Sequence, residues 1–252
     1  MKITSIQKKE YNLFLEAIDI FPESHSKFAL INANSCYKRA WKFKKRDPNI
    51  SRFLLITAEE EAATSIILAL KEQKYNNMKD IKYHDHSIKT GVYVFYGEVH
   101  KFLSNKFPDI HVEKKIVHDL KYPRIIIYHS KSDFSPNVKI KTDSPFIFPF
   151  ELNGTIESFQ EDILNYINIE SFFKTISDHT KHRNDILYAS QYGIPYIKPE
   201  NLLTQFPIYY QRLAQYLMLF LCIKPYKDHQ PLLQQLIDTF VELNKRRYNS
   251  HQ

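Results

Sequence analysis

Glycine is scarce, with only 4 residues in a chain of 252. Tight turns that need a positive φ are therefore few, which argues against a β-sandwich or a glycine-loop nucleotide fold. Neither GxGxxG nor GxxxxGK[ST] occurs. Cysteine is nearly absent. Cys36 and Cys222 lie far apart in apolar surroundings, so they read as buried free thiols in a reducing compartment rather than as a disulfide or CxxC zinc site. The start, Met1-Lys2-Ile3-Thr4-Ser5, has no apolar leader segment. The longest apolar run near the C-terminus, Leu217 to Ile223, is far short of the roughly 20 residues that span a bilayer. The expectation is a cytoplasmic protein with no membrane partner.

What remains is a globular composition. Apolar residues make up 43% and aromatics 14%, enough for a substantial core. The net charge is +7 and the pI about 9.1, which suits a polyanionic partner such as nucleic acid.

Hydrophobic periodicity predicts helices over 24–46, 50–74, 84–106, 155–180, 200–223 and 229–247. Ser24 or Ser26 can cap the first, and Pro48 and Pro225 interrupt the chain. Residues 107–150 are rich in proline and carry β-prone runs such as Ile125-Ile126-Ile127-Tyr128. They read as an insertion between helices, and 181–199 reads as a transition segment. The fold class expected is mainly α, a single helical bundle over 1–252 with a small β-prone insertion at about 107–150.

Three consecutive carboxylates, Glu59-Glu60-Glu61, interrupt the apolar 50–74 segment. A period of about 3.6 residues spreads them over most of a helix circumference, so at least one must face packed protein. An unpaired buried carboxylate costs several kcal/mol, so it needs a partner or a working cavity. Periodicity does not choose between Glu60 and Glu61. Candidate cations are His86 and Lys89, three apart and so on one helical face, and Arg183 in the segment Lys181-His182-Arg183-Asn184-Asp185-Ile186-Leu187-Tyr188. Arg offers a bidentate fork for phosphate, and His titrates near neutral pH. The bland readings are surface charge for the glutamates, a solvated helix start for His84-Asp85-His86, and a basic helix end for the last group. No carboxylate or thiolate spacing accompanies His84 and His86, so no metal and no cofactor is expected.

The order of these pieces resembles the AbiV family of bacterial abortive-infection proteins, within the HEPN group of helical domains. The similar parts are the helix containing Lys27 to Ala33, the Ala58-Glu59-Glu60-Glu61 segment, the His86–Lys89 pair, and the basic segment running into Leu187-Tyr188 and Pro195. Together they cover about 25–105 and 155–223, with 107–150 as an insertion relative to shorter members. Many HEPN proteins are ribonucleases with an Arg-x4–6-His motif. Here the His positions after Arg183 hold Tyr188, Ala189 and Ser190. A lysine usual after the second Glu of the family is replaced by Ala63 or Thr64. Two literal matches, Arg124–His129 and Arg246–His251, read as coincidences: the first sits in a β-prone run, the second in a tail.

The resemblance implies an anti-phage effector that arrests growth or translation after infection, acting on RNA or the translation machinery, with a phage protein as activator and a homodimeric assembly. If it cleaves RNA, Arg183 would stabilise the phosphorane, His182 or His86 would move the proton, Glu60 or Glu61 would orient them, Lys89 would pair with the glutamates, and Tyr188 would bind a phosphate oxygen. The alternative is a non-catalytic helical protein that binds a phage protein, nucleotide or translation component. A weaker alternative is a regulator with a ligand pocket between helices. The tyrosine-rich stretch Tyr209 to Tyr216 could form a dimer face or pack in the core.

Overall fold

The computed structural model of the chain describes residues 3–118, 121–131, 140–142, 144–146, 158–187 and 197–249. Among them the architecture is mainly helical. The helices are α1 (Ser5–Asp19), α2 (His25–Phe43), α3 (Pro48–Glu72), α4 (His86–Lys106), α5 (Gln160–Tyr166), α6 (Ile169–Leu187), α7 (Pro199–Ile223) and α8 (Pro231–Asn249). Between α4 and α5 lie three strands, β1 (Ile110–Val117), β2 (Arg124–Lys131) and β3 (Ile140–Lys141), forming an antiparallel sheet in the order β1-β2-β3. Ile116 pairs with Ile125, and Tyr128 with Lys141.

Local chemistry sets the boundaries. Thr4 and Gln7 form a reciprocal capping box on α1. Ser24 caps α2 by accepting from the Lys27 N–H, and the Asp47 carboxylate accepts from the Ile50 N–H with Pro48 opening α3. Asp85 accepts from the Ser87 N–H at 2.7 Å and so starts α4.

The long apolar helix α3 is the axis of the bundle and packs against α2, α4, α6 and α7. Small residues let α2 and α3 approach closely: Ala33, Ala40, Ala58, Ala62 and Ala69 have no exposed surface. The Glu72 carboxylate ties three helices together. It accepts from the Ser26 N–H at 3.1 Å and the Ser26 hydroxyl at 2.6 Å, and pairs with Lys224 after α7. Burial disfavours its charge, but the Lys224 and Ser26 bonds outweigh this and hold its pKa below the ordinary glutamate value.

Gly91 fixes a second close approach. A Cβ there would meet two carbons of the Phe240 ring at 3.3 Å and Ile176 Cδ1 at 3.4 Å. Its absence lets α4 sit close to α6 and α8.

Three expectations change. No element was expected before residue 24, yet α1 packs on α7. The helix expected over 155–180 is two helices, because Asn168 accepts from the Ser171 N–H at 2.8 Å and restarts the chain as α6; residues 155–157 lie outside the described residues. The segment expected to leave the helix at 181 stays in α6 to Leu187, so His182 and Arg183 sit on a helix face. As for the tyrosine-rich stretch, Tyr209, Tyr210, Leu213 and Tyr216 are buried within the chain, so these side chains pack its core rather than an outer face.

Candidate functional site

Four helices each contribute a polar stripe at helical spacing to one cleft. α3 supplies Arg52, Glu59 and Glu60, α4 supplies Lys89, α6 supplies His179, His182 and Arg183, and α7 supplies Tyr209. His86 of α4 contacts Glu60, and Arg212 of α7 contacts Glu59. Residues three, four, seven or eight apart return to the same helix face, which is why each stripe points the same way. The cleft has an open volume of about 30 Å³.

Glu60 lies at its centre. Its Oε1 is 2.9 Å from His86 Nδ1 and 2.9 Å from Arg183 Nε. The Glu60 side chain is 11% exposed, that of Arg183 17%, and that of His86 42%. The Arg183 contact is an ion pair: its Nε–H is not directed at the carboxylate and has no hydrogen-bond acceptor. Coulomb attraction needs no such alignment, so the pair holds while the guanidinium edge stays available. An ionised carboxylate only accepts, so Glu60 selects the Nδ1–H tautomer of neutral His86 and leaves Nε2 as the second functional nitrogen.

Glu59 has its own partner. Arg212 Nη1 donates to both of its oxygens, at 3.0 and 2.8 Å. The Arg212 guanidinium also lies 4.0 Å from the centre of the Tyr93 ring. Burial alone would lower the pKa of Arg212, but Glu59 and Tyr93 raise it, so this cation is fixed.

Glu61 does not belong to the cleft. It turns toward α2, where the Asn32 amide donates to it at 3.0 Å in an exposed setting. The reason is angular: consecutive helical residues are about 100° apart, so the face that buries Glu60 turns Glu61 away. Lys89 lines the cleft but forms no ion pair with Glu60. His182 lines it too. Tyr188 lies outside the described residues, as does His251. Arg124 and His129 both lie on β2, on the sheet, and neither lines this cleft.

Sequence reasoning missed Arg52 and His179 as members of the cleft, and Arg212 as the partner of Glu59. Arg52 precedes Glu59 and Glu60 by seven and eight residues on one helix, and this two-turn spacing was the available signal. The His179 and His182 imidazoles both have pKa values below the ordinary histidine value. The largest cause is desolvation; Arg52 pushes both down, while Glu59 near His179 and Asp185 near His182 act the other way. Much of each residue is exposed, so solvent screening limits the effect. Burial raises the pKa of the Tyr209 phenol, with Glu59 adding to it.

No grouping of histidine, cysteine, aspartate and glutamate suited to a metal occurs among the described residues. A second cavity, of about 560 Å³, lies between α3, α4, α7, α8 and the sheet. Its walls are largely apolar, including Ile67, Phe95, Val99, Ile127, Cys222 and Phe240. Both cysteines are free and buried, and burial pushes the Cys222 thiol up to about 12. No helix among the described residues is long and apolar enough to cross a membrane.

No protein-family model matches this chain, and neither a curated protein nor a solved structure matches it.

Proposed function

We propose that the chain is a bacterial anti-phage effector of the AbiV type, which arrests growth after infection through metal-independent cleavage of RNA. The observation that carries this reading is the meeting of His86 and Arg183 on one oxygen of Glu60, each at 2.9 Å, in a cleft that also contains His182. The basic charge and the resemblance in motif order support it.

The chemistry is a transfer within the RNA. His182, held neutral near pH 7 by its depressed pKa, takes the proton from a ribose 2′-hydroxyl. The 2′-oxygen bonds to phosphorus as the bond to the 5′-oxygen breaks, and Nε2 of protonated His86 gives the leaving oxygen its proton. Arg183 stabilises the charge that builds on the phosphorane. Glu60 orients both partners, its Oε1 lying 2.9 Å from each. Atoms and protons balance, leaving a cyclic phosphate and a 5′-hydroxyl. Incubation with total RNA in a chelator-containing buffer tests this. Fragmentation by the native chain and not by Arg183→Ala is expected; equal integrity in both, with infected-cell extract added as a source of activator, would sink it.

A second reading is favoured by the 560 Å³ apolar cavity, a size ordinary for ligand sites. In it the polar cleft is a structural lock and the protein acts by binding. The discriminator is an Arg183→Ala chain that keeps its thermal stability. Loss of phage protection without loss of stability supports the catalytic reading, whereas loss of both supports a lock.

A further inference from the structure

Arg52 is a buried cation without a carboxylate. It is 9% exposed, and its Nε and Nη1 have no hydrogen-bond partner. A guanidinium cannot shed its proton at any physiological pH, and an uncompensated buried charge is costly. The Tyr209 ring, 5.3 Å from the guanidinium carbon, and a side-chain hydrogen bond to the Tyr209 hydroxyl offset part of this, but Nε and Nη1 stay without an acceptor. Arg183 Nε is likewise buried without an acceptor. Both arginines line the same small cleft, with Lys89 and His182.

The charges do not cancel. Arg52, Lys89 and Arg183 line the cleft with Glu59 and Glu60; Glu59 pairs with Arg212 from outside the lining and Glu60 with Arg183, which leaves Arg52 and Lys89 without a carboxylate. The surplus is two positive charges, before any histidine is protonated. We infer that Arg52 anchors an oxyanion subsite for a dianionic phosphate group, with Arg183 and Lys89 beside it. A dianion matches that surplus, and planar forks of donors suit its oxygens. The open volume, about 30 Å³, is more than one water needs but too little for a base or sugar. Only the phosphate oxygens enter. The dianion comes either from a terminal phosphate or from the phosphorane formed at an in-chain phosphate. Only this choice of source rests on the RNA reading.

Calorimetric titration with inorganic phosphate near pH 7.5, at constant ionic strength and against chloride, tests the subsite directly. The native chain binds phosphate. Arg52→Gln weakens it at least about tenfold, the loss of one charged hydrogen bond, while its Tm in phosphate-free buffer holds or rises because an unpaired buried charge is gone. Arg52→Lys keeps the charge but not the fork, and also binds more weakly, which covers the case in which Arg52→Gln does not fold. No binding by the native chain, or equal binding by all three, overturns the inference. Competition by short synthetic RNAs then separates the sources. Displacement by 5′-phosphorylated RNA alone identifies a terminal phosphate, and equal displacement by hydroxyl-ended RNA identifies an in-chain one. If neither competes while phosphate still binds, the RNA reading fails and the subsite stands.

Discussion

Arg183 Nε lies 2.9 Å from Oε1 of Glu60, and this contact joins α6 to the central helix α3 with little solvent on either side. Removing the carboxylate leaves Arg183 and His86 facing each other without a counter-charge. Breaking a buried pair from one side costs about 3 kcal/mol or more. Glu60→Gln should therefore lower unfolding stability by about 3–5 kcal/mol in urea titration. Glu61→Gln, which removes only an exposed bond from Asn32, should change it by no more than about 0.5 kcal/mol. Equal effects of the two would contradict the assignment of faces on α3.

The Glu59–Arg212 pair predicts a non-additive cycle. Arg212→Met strands Glu59, whose side chain is 14% exposed, and should cost about 3 kcal/mol. The double variant Glu59→Gln/Arg212→Met should be more stable than Arg212→Met alone, because no charge is left buried. Additive losses would show that the pair is not coupled. Arg212→Lys should recover part of the stability at best, since lysine lacks the fork and the planar stack on Tyr93.

Acid should destabilise the chain in two steps. His179 and His182 have folded pKa values below their ordinary 6.5, so the unfolded chain binds protons first. Their stabilisation is present above about pH 6.5 and is lost as pH falls toward the folded values. Glu72 is depressed below its ordinary 4.5, so its contribution is lost only below that. Replacing both histidines with Gln should flatten the upper step in a series of Tm measurements and leave the lower one. Arg52, Arg212, Glu59, Asp178 and Asp185 are the charged groups that set the histidine values.

Two glycines of α4 should respond oppositely to alanine. A Cβ at Gly97 meets nothing within 4 Å, so Gly97→Ala should stabilise by about 0.5–1 kcal/mol through helix propensity. At Gly91 the methyl would press on Phe240 and Ile176, and the gain should vanish or reverse. Thermal melts of the two variants decide the matter, and an equal gain at both would contradict the close packing of α4 on α6 and α8.

Much of this architecture was legible because its signals are local. Ser24, one of the two serines offered as a cap, caps α2, Pro48 opens α3 after the chain break expected there, and the β-prone run Ile125 to Tyr128 falls in β2. The break at Asn168 was not legible, since apolar spacing runs through it and only a side-chain bond to the Ser171 N–H ends one helix and starts another. Glu60, His86 and Arg183 could be nominated as partners from charge and burial cost. Choosing Glu60 over Glu61 required knowing which face of α3 meets α4 and α6. Arg52 and Arg212 were passed over because each sits in an apolar or aromatic run, where its charge reads as incidental. Their roles are set by the neighbouring helices that pack against them.

The Glu60–His86–Arg183 cleft is proposed to cut RNA when a phage infects the cell. The most direct measurement is RNA integrity and end chemistry in bacteria expressing the native chain, Arg183→Ala or Glu61→Gln, sampled before and after phage challenge, with equal levels of folded protein verified. Cyclic-phosphate-ended fragments and arrested growth are expected with the native chain and with Glu61→Gln, and neither with Arg183→Ala. Intact RNA in all three despite growth arrest, or the same fragments with Arg183→Ala, would contradict it.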